Sequence, residues 1–271
     1  MSDHYSPSPS IVVGVDGSRA AIDAALWAVD EAVSRDIPLR LTYAIDPATT
    51  DADPQTAARE LAKAEVAVRY ACMAVESTDA PVKIEVEIMQ ERPTRALLDA
   101  TRWAAMVCVG SMGLKHCLHG RMGSTAAALA LSAHCPVAVV RGHDPFGPAG
   151  QWVVVELDAS PASEGVLRRA LDEAQLRAAP LRVLNGNRLA GAQLHRRLAT
   201  WKKHYPDVDL DTVDAHGSTV NFLTEKANSI QLLVVGHERS HGIGALVGPP
   251  GYAALHNANC SVLICEPQNV L

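Results

Sequence analysis

Short apolar runs alternate with longer segments of helical periodicity along this chain. The run IVVGV at 11–15 is almost unbroken, as is typical of a strand covered on both faces, and small apolar residues then recur at helical spacing to residue 32. The same alternation predicts further strands at 39–45, 82–88, 105–110 and 137–140, and helices at 54–76, 93–103 and 123–133. Alternating strands and helices predict an α/β fold with a parallel sheet and right-handed crossovers.

This pattern of strands and helices occurs twice along the chain. IVVGVDGSRAAIDAALWAVDEA begins at Ile11, and VVVELDASPASEGVLRRALDEA begins at Val153, so that Asp158 lies 142 residues after Asp16. The second copy predicts strands near 152–157, 181–184, 208–213, 231–235 and 262–265, and helices near 161–178, 188–204, 217–228 and 249–258. Proline and glycine are dense between the copies, at 141–151, and predict a linker between domains at 1–145 and 150–271.

Composition narrows the class of protein. The 271 residues are 48% hydrophobic and 20% charged, which excludes a wholly disordered or collagen-like chain. The net charge of −6 and the lack of a long basic run argue against a nucleic-acid partner. No apolar run approaches the length of a membrane span, and the first ten residues lack the features of a signal peptide. Six scattered cysteines without a CxxC pair favour free thiols and a cytoplasmic location.

A glycine-rich segment carries the clearest chemical signal. Gly110 and Gly113 follow the fourth strand, and nine residues later Gly123, Ser124 and Thr125 begin a helix. Glycines permit a tight turn and a close approach of backbone to phosphate, and the amides at a helix start attract anions. A plain loop with a helix cap would also explain these residues. The spacing matches neither a dinucleotide fingerprint nor a Walker A loop.

Together, the strand followed by Asp16-Gly17-Ser18, the tandem copies and the pattern G-x2-G-x9-G-[ST] resemble the universal stress protein family. The resemblance is to its tandem-domain, ATP-binding branch, which is common in actinobacteria, and it covers nearly the whole chain. It implies two tandem Rossmann-like domains of the adenine nucleotide α-hydrolase type, each a five-stranded parallel sheet flanked by helices. It also implies that ATP binds at the carboxyl edge of strands 1 and 4.

The resemblance assigns a role to each matching residue of the first copy. Asp16 would contact the ribose or adenine side, Gly14 would line the same edge, and Ala44, after strand 2, would offer backbone groups to adenine. The phosphate contacts would come from the glycine-rich segment, namely Gly110, Gly113, Gly123, Ser124 and Thr125. Asp16 could instead simply cap the turn at Ser18.

The nine residues between Gly113 and Gly123, LKHCLHGRM, add further candidates. Arg121 is the better candidate for a phosphate contact, whereas Lys115 is expected to be solvated. The spacing of His116, Cys117 and His119 could suit a metal, but structural zinc usually needs four ligands, so no metal site is predicted. A redox role for the Cys117 thiol stays open, because neighbouring bases favour the thiolate.

The second copy departs from the glycine pattern. Gly236 is kept, but Arg239 stands at the second glycine position and Pro249-Pro250 replace the Ser-Thr pair. Prolines have no amide hydrogen, so two phosphate donors are lost. We therefore expect the second domain to bind ATP weakly or not at all and to pack against the first.

The leading hypothesis is an ATP-binding regulator, and the resemblance implies a stress response of the dormancy or hypoxia type. Its ligand would be ATP with Mg²⁺. No catalytic residue is predicted, because the sequence shows no recognisable set of acid, base and nucleophile. The alternatives are a slow ATPase or a phosphoryl- or nucleotidyl-transferring enzyme, and a dimerisation module without ligand. The apolar strands at 137–140 and 262–265 suggest pairing of the two domains, and a homodimer is also expected. The regulatory partner is unknown.

Overall fold

The fold is taken from a computed structural model of the chain. The structure describes residues 8–50, 53–113, 122–142, 150–158, 160, 162–185, 191–213, 218–238 and 242–265. These residues form two compact units: unit 1 contains the described residues up to 142 except Met122, and unit 2 contains Met122 and those from residue 150. The predicted domain boundary lies largely at 143–149, outside the described residues, and stays a prediction.

Unit 1 is an α/β unit with a parallel sheet. Its strands are β1 (Ile11–Gly14), β2 (Leu39–Ile45), β3 (Ile84–Gln90), β4 (Met106–Gly110) and β5 (Val137–Val140). Its helices are α1 (Arg19–Ser34), α2 (Pro47–Thr50), α3 (Pro54–Glu76), α4 (Pro93–Ala100) and α5 (Ser124–Ser132). The strand order is β3-β2-β1-β4-β5, and every pairing is parallel. The predicted fold class is confirmed.

Capping residues and prolines in the sequence mark where helices of unit 1 begin. The Ser18 hydroxyl accepts a hydrogen bond from the Ala21 amide at 3.1 Å and caps α1. Asp53 caps α3 in the same way, and both α3 and α4 have proline in the first turn, where its missing N–H costs nothing. α1 covers the sheet with fully buried alanines, which let the helix approach the strands closely.

Unit 2 repeats this arrangement. Its strands are β6 (Trp152–Leu157), β7 (Leu181–Asn185), β8 (Leu210–Val213), β9 (Ile230–Gly236) and β10 (Ser261–Cys265). Its helices are α6 (Ser163–Leu176), α7 (Gly191–His204), α8 (Thr219–Glu225), α9 (Gly244–Val247) and α10 (Pro249–Asn257). The parallel order β8-β7-β6-β9-β10 matches that of unit 1, strand for strand.

The main deviations from the predicted elements lie at element ends and in two short helices. β3 begins at Ile84 rather than 82, because the Val82 amide donates to the Ala80 carbonyl in a turn. α4 ends at Ala100 rather than 103. The four-residue helices α2 and α9 were not predicted; α2 starts where the Asp46 side chain accepts from the Ala48 amide at 3.0 Å.

The strand order of the sheet locates the candidate site. In each unit the chain first builds outward from the first strand and then crosses to its other side, so β1 and β4 are neighbours at the point of reversal. Ligands of open parallel sheets bind beyond the carboxyl ends of the strands at this point.

No helix in the described part of the chain is long and apolar enough to cross a bilayer.

Candidate functional site

Unit 1 contains a cavity of about 970 Å³ at the carboxyl ends of β1 and β4. Its walls come from the ends of these strands, from β2, and from the starts of α4 and α5. Cavities that hold small ligands usually measure about 300–1,000 Å³, so the space is sufficient for a nucleotide.

Eight of the nine predicted site residues line this one cavity. They are Gly14, Asp16, Ala44, Gly110, Gly113, Gly123, Ser124 and Thr125. Ala44 lies within β2, paired with Met89, and not after the strand as we expected. The ninth residue, Arg121, lies outside the described residues, as do Lys115, His116, Cys117 and His119.

Asp16 has two structural roles at once. One carboxylate oxygen, Oδ1, accepts a hydrogen bond from the Ser18 amide at 2.9 Å, so the residue does cap the turn before α1. Gly17 completes that turn with φ of 84°, a conformation that favours glycine. The other oxygen, Oδ2, faces the glycine-rich loop, since a Cβ atom on Gly113 would lie 2.5 Å from it. The cap therefore holds a carboxylate at the cavity wall beside Gly113.

The glycines at the cavity differ in how much space their surroundings leave for a side chain. A Cβ atom on Gly110 would lie 2.6 Å from the Ala20 carbonyl carbon, so β4 can pack against the start of α1 only with glycine there. A Cβ atom on Gly14 would lie 2.7 Å from Leu97 Cδ1, at the cavity floor. At Gly123 the nearest atom would be 3.5 Å away, an ordinary contact. The protein itself therefore does not exclude a side chain at Gly123.

The start of α5 offers amide groups to the cavity. Gly123 is its N-cap and, having no side chain, cannot satisfy the amides of the first turn. Such amides and the helix dipole attract an anion. The hydroxyl of Thr125 adds a polar group at the same place and lies 3.5 Å from the hydroxyl of Thr94 at the start of α4. The residues predicted to meet phosphates thus lie together.

Sequence reasoning missed the cations that the described structure places at the cavity. They come from α4 and its ends, namely Arg92, Arg95 and Arg102. Arg92 Nε lies 4.0 Å from Asp46 Oδ1, and Arg95 Nε lies 3.5 Å from Glu91 Oε2. Exposed ion pairs of this kind are weak, so these guanidinium groups can exchange a carboxylate for a phosphate at little cost. The sequence did contain a signal for these arginines: Pro93, three residues after the end of β3, starts a helix at this edge of the sheet.

Tyr43 also lines the cavity. Burial, and then the carboxylates of Glu60 and Asp16, raise the pKa of this phenol above its ordinary value. The phenol consequently stays protonated at neutral pH and can donate a hydrogen bond. It is not suited to act as a base there.

The described residues of unit 2 leave only a small space at the corresponding place. The cavity bounded by Asp158, Ser160 and Gly236 measures only about 20 Å³, enough for about one water molecule. Its wall includes Glu156, which stands 142 residues after Gly14 and therefore at the Gly14 position of the second copy. The Glu156 carboxylate is buried and accepts a hydrogen bond from the Thr219 hydroxyl, at the start of α8, at 2.8 Å. A side chain thus fills space that glycine leaves open in unit 1.

The repeat already contained this signal, which we did not weigh. Of the residues of the second copy that we considered, Arg239 lies outside the described residues, and Pro249 is the first residue of α10, where it offers no amide. Asp158 uses Oδ1 to accept from the Ser160 amide and the Ser163 hydroxyl.

The described residues show no metal centre. No group of three or more histidine, cysteine, aspartate or glutamate side chains suited to a metal ion occurs among them. The segment with His116, Cys117 and His119 lies outside that part of the chain. What the described site can do is hold a polyanion between two helix starts beside an acidic residue.

Comparisons with known proteins agree on one group. A sequence model of the universal stress protein family matches residues 8–141. The chain is 48% identical to Universal stress protein Rv2028c of Mycobacterium tuberculosis over 279 aligned positions, which cover 99% of both chains. It is 46% identical to Universal stress protein Rv3134c of the same species, covering 94% of this chain and 97% of that one. Among solved structures, a universal stress protein from Archaeoglobus fulgidus superposes with a TM-score of 0.74 at 15% identity, covering 98% of each chain, which shows a shared fold.

Proposed function

The chain belongs to the universal stress protein family, and from that premise we propose that unit 1 binds ATP and that the protein acts as a nucleotide-dependent regulator in a stress response. The observation that carries the proposal is the single cavity into which the structure gathers Asp16, the glycine-rich loop and the start of α5. The sequence pattern linked these residues, and folding brings them to one place.

The residues of the cavity fit a nucleoside triphosphate. Gly110 and Gly113 line the cavity without side chains of their own, and the first-turn amides of α5 supply donors for phosphate. Ser124 and Thr125 add hydroxyl groups, and Arg92 and Arg95 add positive charge at the same edge. Gly14 and Ala44 leave a shallow apolar floor for the base, beside Leu97.

A divalent cation belongs to the proposal because acids outnumber cations among the described residues that line the cavity. The lining contains Asp16, Asp46, Glu60, Glu91 and Asp99 but three arginines. Mg²⁺ would supply neutralisation of the phosphate oxygens, which it usually binds together with one or two carboxylates. Nothing among the described side chains provides an evident general base, so any hydrolysis is expected to be slow.

We propose one nucleotide site per chain. In unit 2 the Glu156 side chain fills the floor, and Pro249 removes a phosphate donor. A cytoplasmic location, pairing of the two units and a homodimer are parts of the same proposal. All five cysteines among the described residues are free thiols, which suits a reducing compartment.

The test is native mass spectrometry of the full chain, followed by titration with ATP and Mg²⁺. We expect one ATP per chain and a thermal shift on adding it. A chain that neither retains ATP nor shifts in melting temperature would overturn the proposal. Turnover faster than about 1 s⁻¹, the low end of usual enzyme rates, would instead favour the ATPase or transferase.

A matched pair of variants tests which unit binds. Asp16→Ala removes the carboxylate at the cavity of unit 1, and we expect ATP affinity to fall by roughly tenfold or more, as for a lost charge-assisted hydrogen bond of 1.5–3 kcal/mol. Asp158→Ala changes the equivalent residue of unit 2 and should leave affinity unchanged. Isothermal titration measures both. Equal losses would mean that both units bind, contrary to the proposal.

A further inference from the structure

The floor of the cavity contains a buried hydroxyl group without a partner. Thr42 on β2 is 4% exposed, and its Oγ1 makes no hydrogen bond within the part of the chain that the structure describes. A buried polar group left unpaired is costly, and most such groups in native proteins have a partner. An unpaired one at a binding site therefore points to a ligand.

Thr42 lies where a flat ring would fit. It pairs in register with Gly14 of β1, and alternate residues of a strand share a face, so Ala44 lies on the same face as Thr42. All three residues line the cavity, and Leu97 of α4 forms the wall beside Gly14. Gly14, Thr42 and Ala44 thus form a floor of small residues to which Thr42 contributes a hydroxyl group, and the apolar side chain of Leu97 lies beside it.

The position of Thr42 separates it from the phosphate end. The strand order places β1 between β2 and β4, so Thr42 lies two strands, roughly 10 Å, from the glycine-rich loop that follows β4. A ligand whose phosphates lie at Gly113 and the start of α5 would bring its other end to Thr42. In a nucleotide, that end is the base.

We infer that the Thr42 hydroxyl hydrogen-bonds the base of the bound nucleotide. This inference rests on the proposed function and adds a residue that recognises the base. The inference requires a turn of about 120° about χ1, which would exchange the methyl and hydroxyl positions of threonine and bring the hydroxyl to the cavity that Thr42 lines. A hydroxyl can donate or accept, so it suits the nitrogen-rich edge of a purine.

The test is Thr42→Val, which keeps the shape and removes the hydroxyl. Isothermal titration of the full chain should show ATP affinity reduced about threefold to tenfold, as expected for one net hydrogen bond. Affinity for inorganic triphosphate, which has no base, should not change. The melting temperature of the ligand-free variant should not fall, because the hydroxyl has no partner to lose.

Two further variants make the result decisive. Thr42→Ser keeps the hydroxyl and should retain ATP affinity. Thr101→Val removes a buried hydroxyl that donates to the Leu98 carbonyl at 2.7 Å and accepts from the His134 amide, so it should lower the melting temperature.

The outcomes separate this inference from the proposed function. It is overturned if Thr42→Val binds ATP as tightly as the natural chain, if inorganic triphosphate weakens equally, or if the melting temperature falls as in Thr101→Val. In those cases the ATP site itself stands. A natural chain that does not bind ATP overturns both.

Discussion

Replacing Gly14 with glutamate is expected to abolish ATP binding by unit 1. The substitution gives unit 1 the residue that stands at the same position in unit 2, where Glu156 is buried and only about 20 Å³ remains. In unit 1 the new Cβ atom would lie 2.7 Å from Leu97 Cδ1 and 3.2 Å from Val109 Cγ1, and the rest of the side chain would enter the cavity. Its negative charge would also repel the phosphates.

The loss should be roughly thirtyfold or more, because overlap and charge repulsion act together. Each is worth roughly 1–3 kcal/mol, and every 1.4 kcal/mol is tenfold. Isothermal titration and the ATP-induced thermal shift measure it. Gly14→Ala is the steric control. Its Cβ atom meets the flexible end of Leu97, which can turn away, so this variant should lose much less affinity.

A second control lies in unit 2. Glu156→Gln keeps the shape of the buried side chain and should leave ATP affinity unchanged, because the proposed site does not include unit 2. If Gly14→Glu still bound ATP tightly, a glutamate at this position would not prevent binding, and Glu156 could not explain the proposed absence of a site in unit 2. A changed affinity in Glu156→Gln would contradict the single-site proposal.

Replacing Gly113 with alanine is expected to weaken ATP binding by acting on Asp16. The added Cβ atom would lie 2.5 Å from Asp16 Oδ2, a distance at which one of the two groups has to move. The carboxylate is held by the Ser18 amide through Oδ1, so moving it disturbs the turn before α1. Such overpacking costs about 1–3 kcal/mol, which corresponds to a loss of affinity of roughly fivefold to more than a hundredfold.

A double-mutant cycle isolates the cause. If the clash with Asp16 is responsible, the pair Gly113→Ala and Asp16→Ala should bind no worse than Asp16→Ala alone. Additive losses would show instead that the Cβ atom obstructs the ligand directly. Gly123→Ala is the comparison in the ligand-free chain, since its Cβ atom would approach no described atom closer than 3.5 Å and should leave the melting temperature unchanged.

Much of the fold could be predicted because its signals are local. Hydrophobic periodicity separates strands such as Ile11–Gly14 from helices such as Arg19–Ser34, and the cap at Ser18 and the proline at Pro93 mark helix starts. Element ends were less certain. The strand at Ile84 begins late because a backbone hydrogen bond from Val82 to Ala80 makes a turn there, and no side-chain pattern announces it.

The candidate site divides in the same way. Glycine spacing indicated Gly110, Gly113 and Gly123, but the arginines of α4 and the hydroxyl of Thr42 carried no motif. These arginines and Thr42 line the cavity because α4 starts at the carboxyl edge and β2 pairs with β1. Neither relation can be read from positions along the chain.

Residue order alone shows that the chain contains two copies of one α/β pattern, and that the first copy keeps a glycine-rich segment the second has altered. These features depend on periodicity, repetition and residue type. Which residues share a cavity, and which copy has room for one, depends on the folded chain. Gly14 and Glu156 occupy the same position in the repeat, yet one leaves about 970 Å³ open beside it and the other fills its own site. Volume depends on how strands and helices pack, so it appears only when the chain is folded.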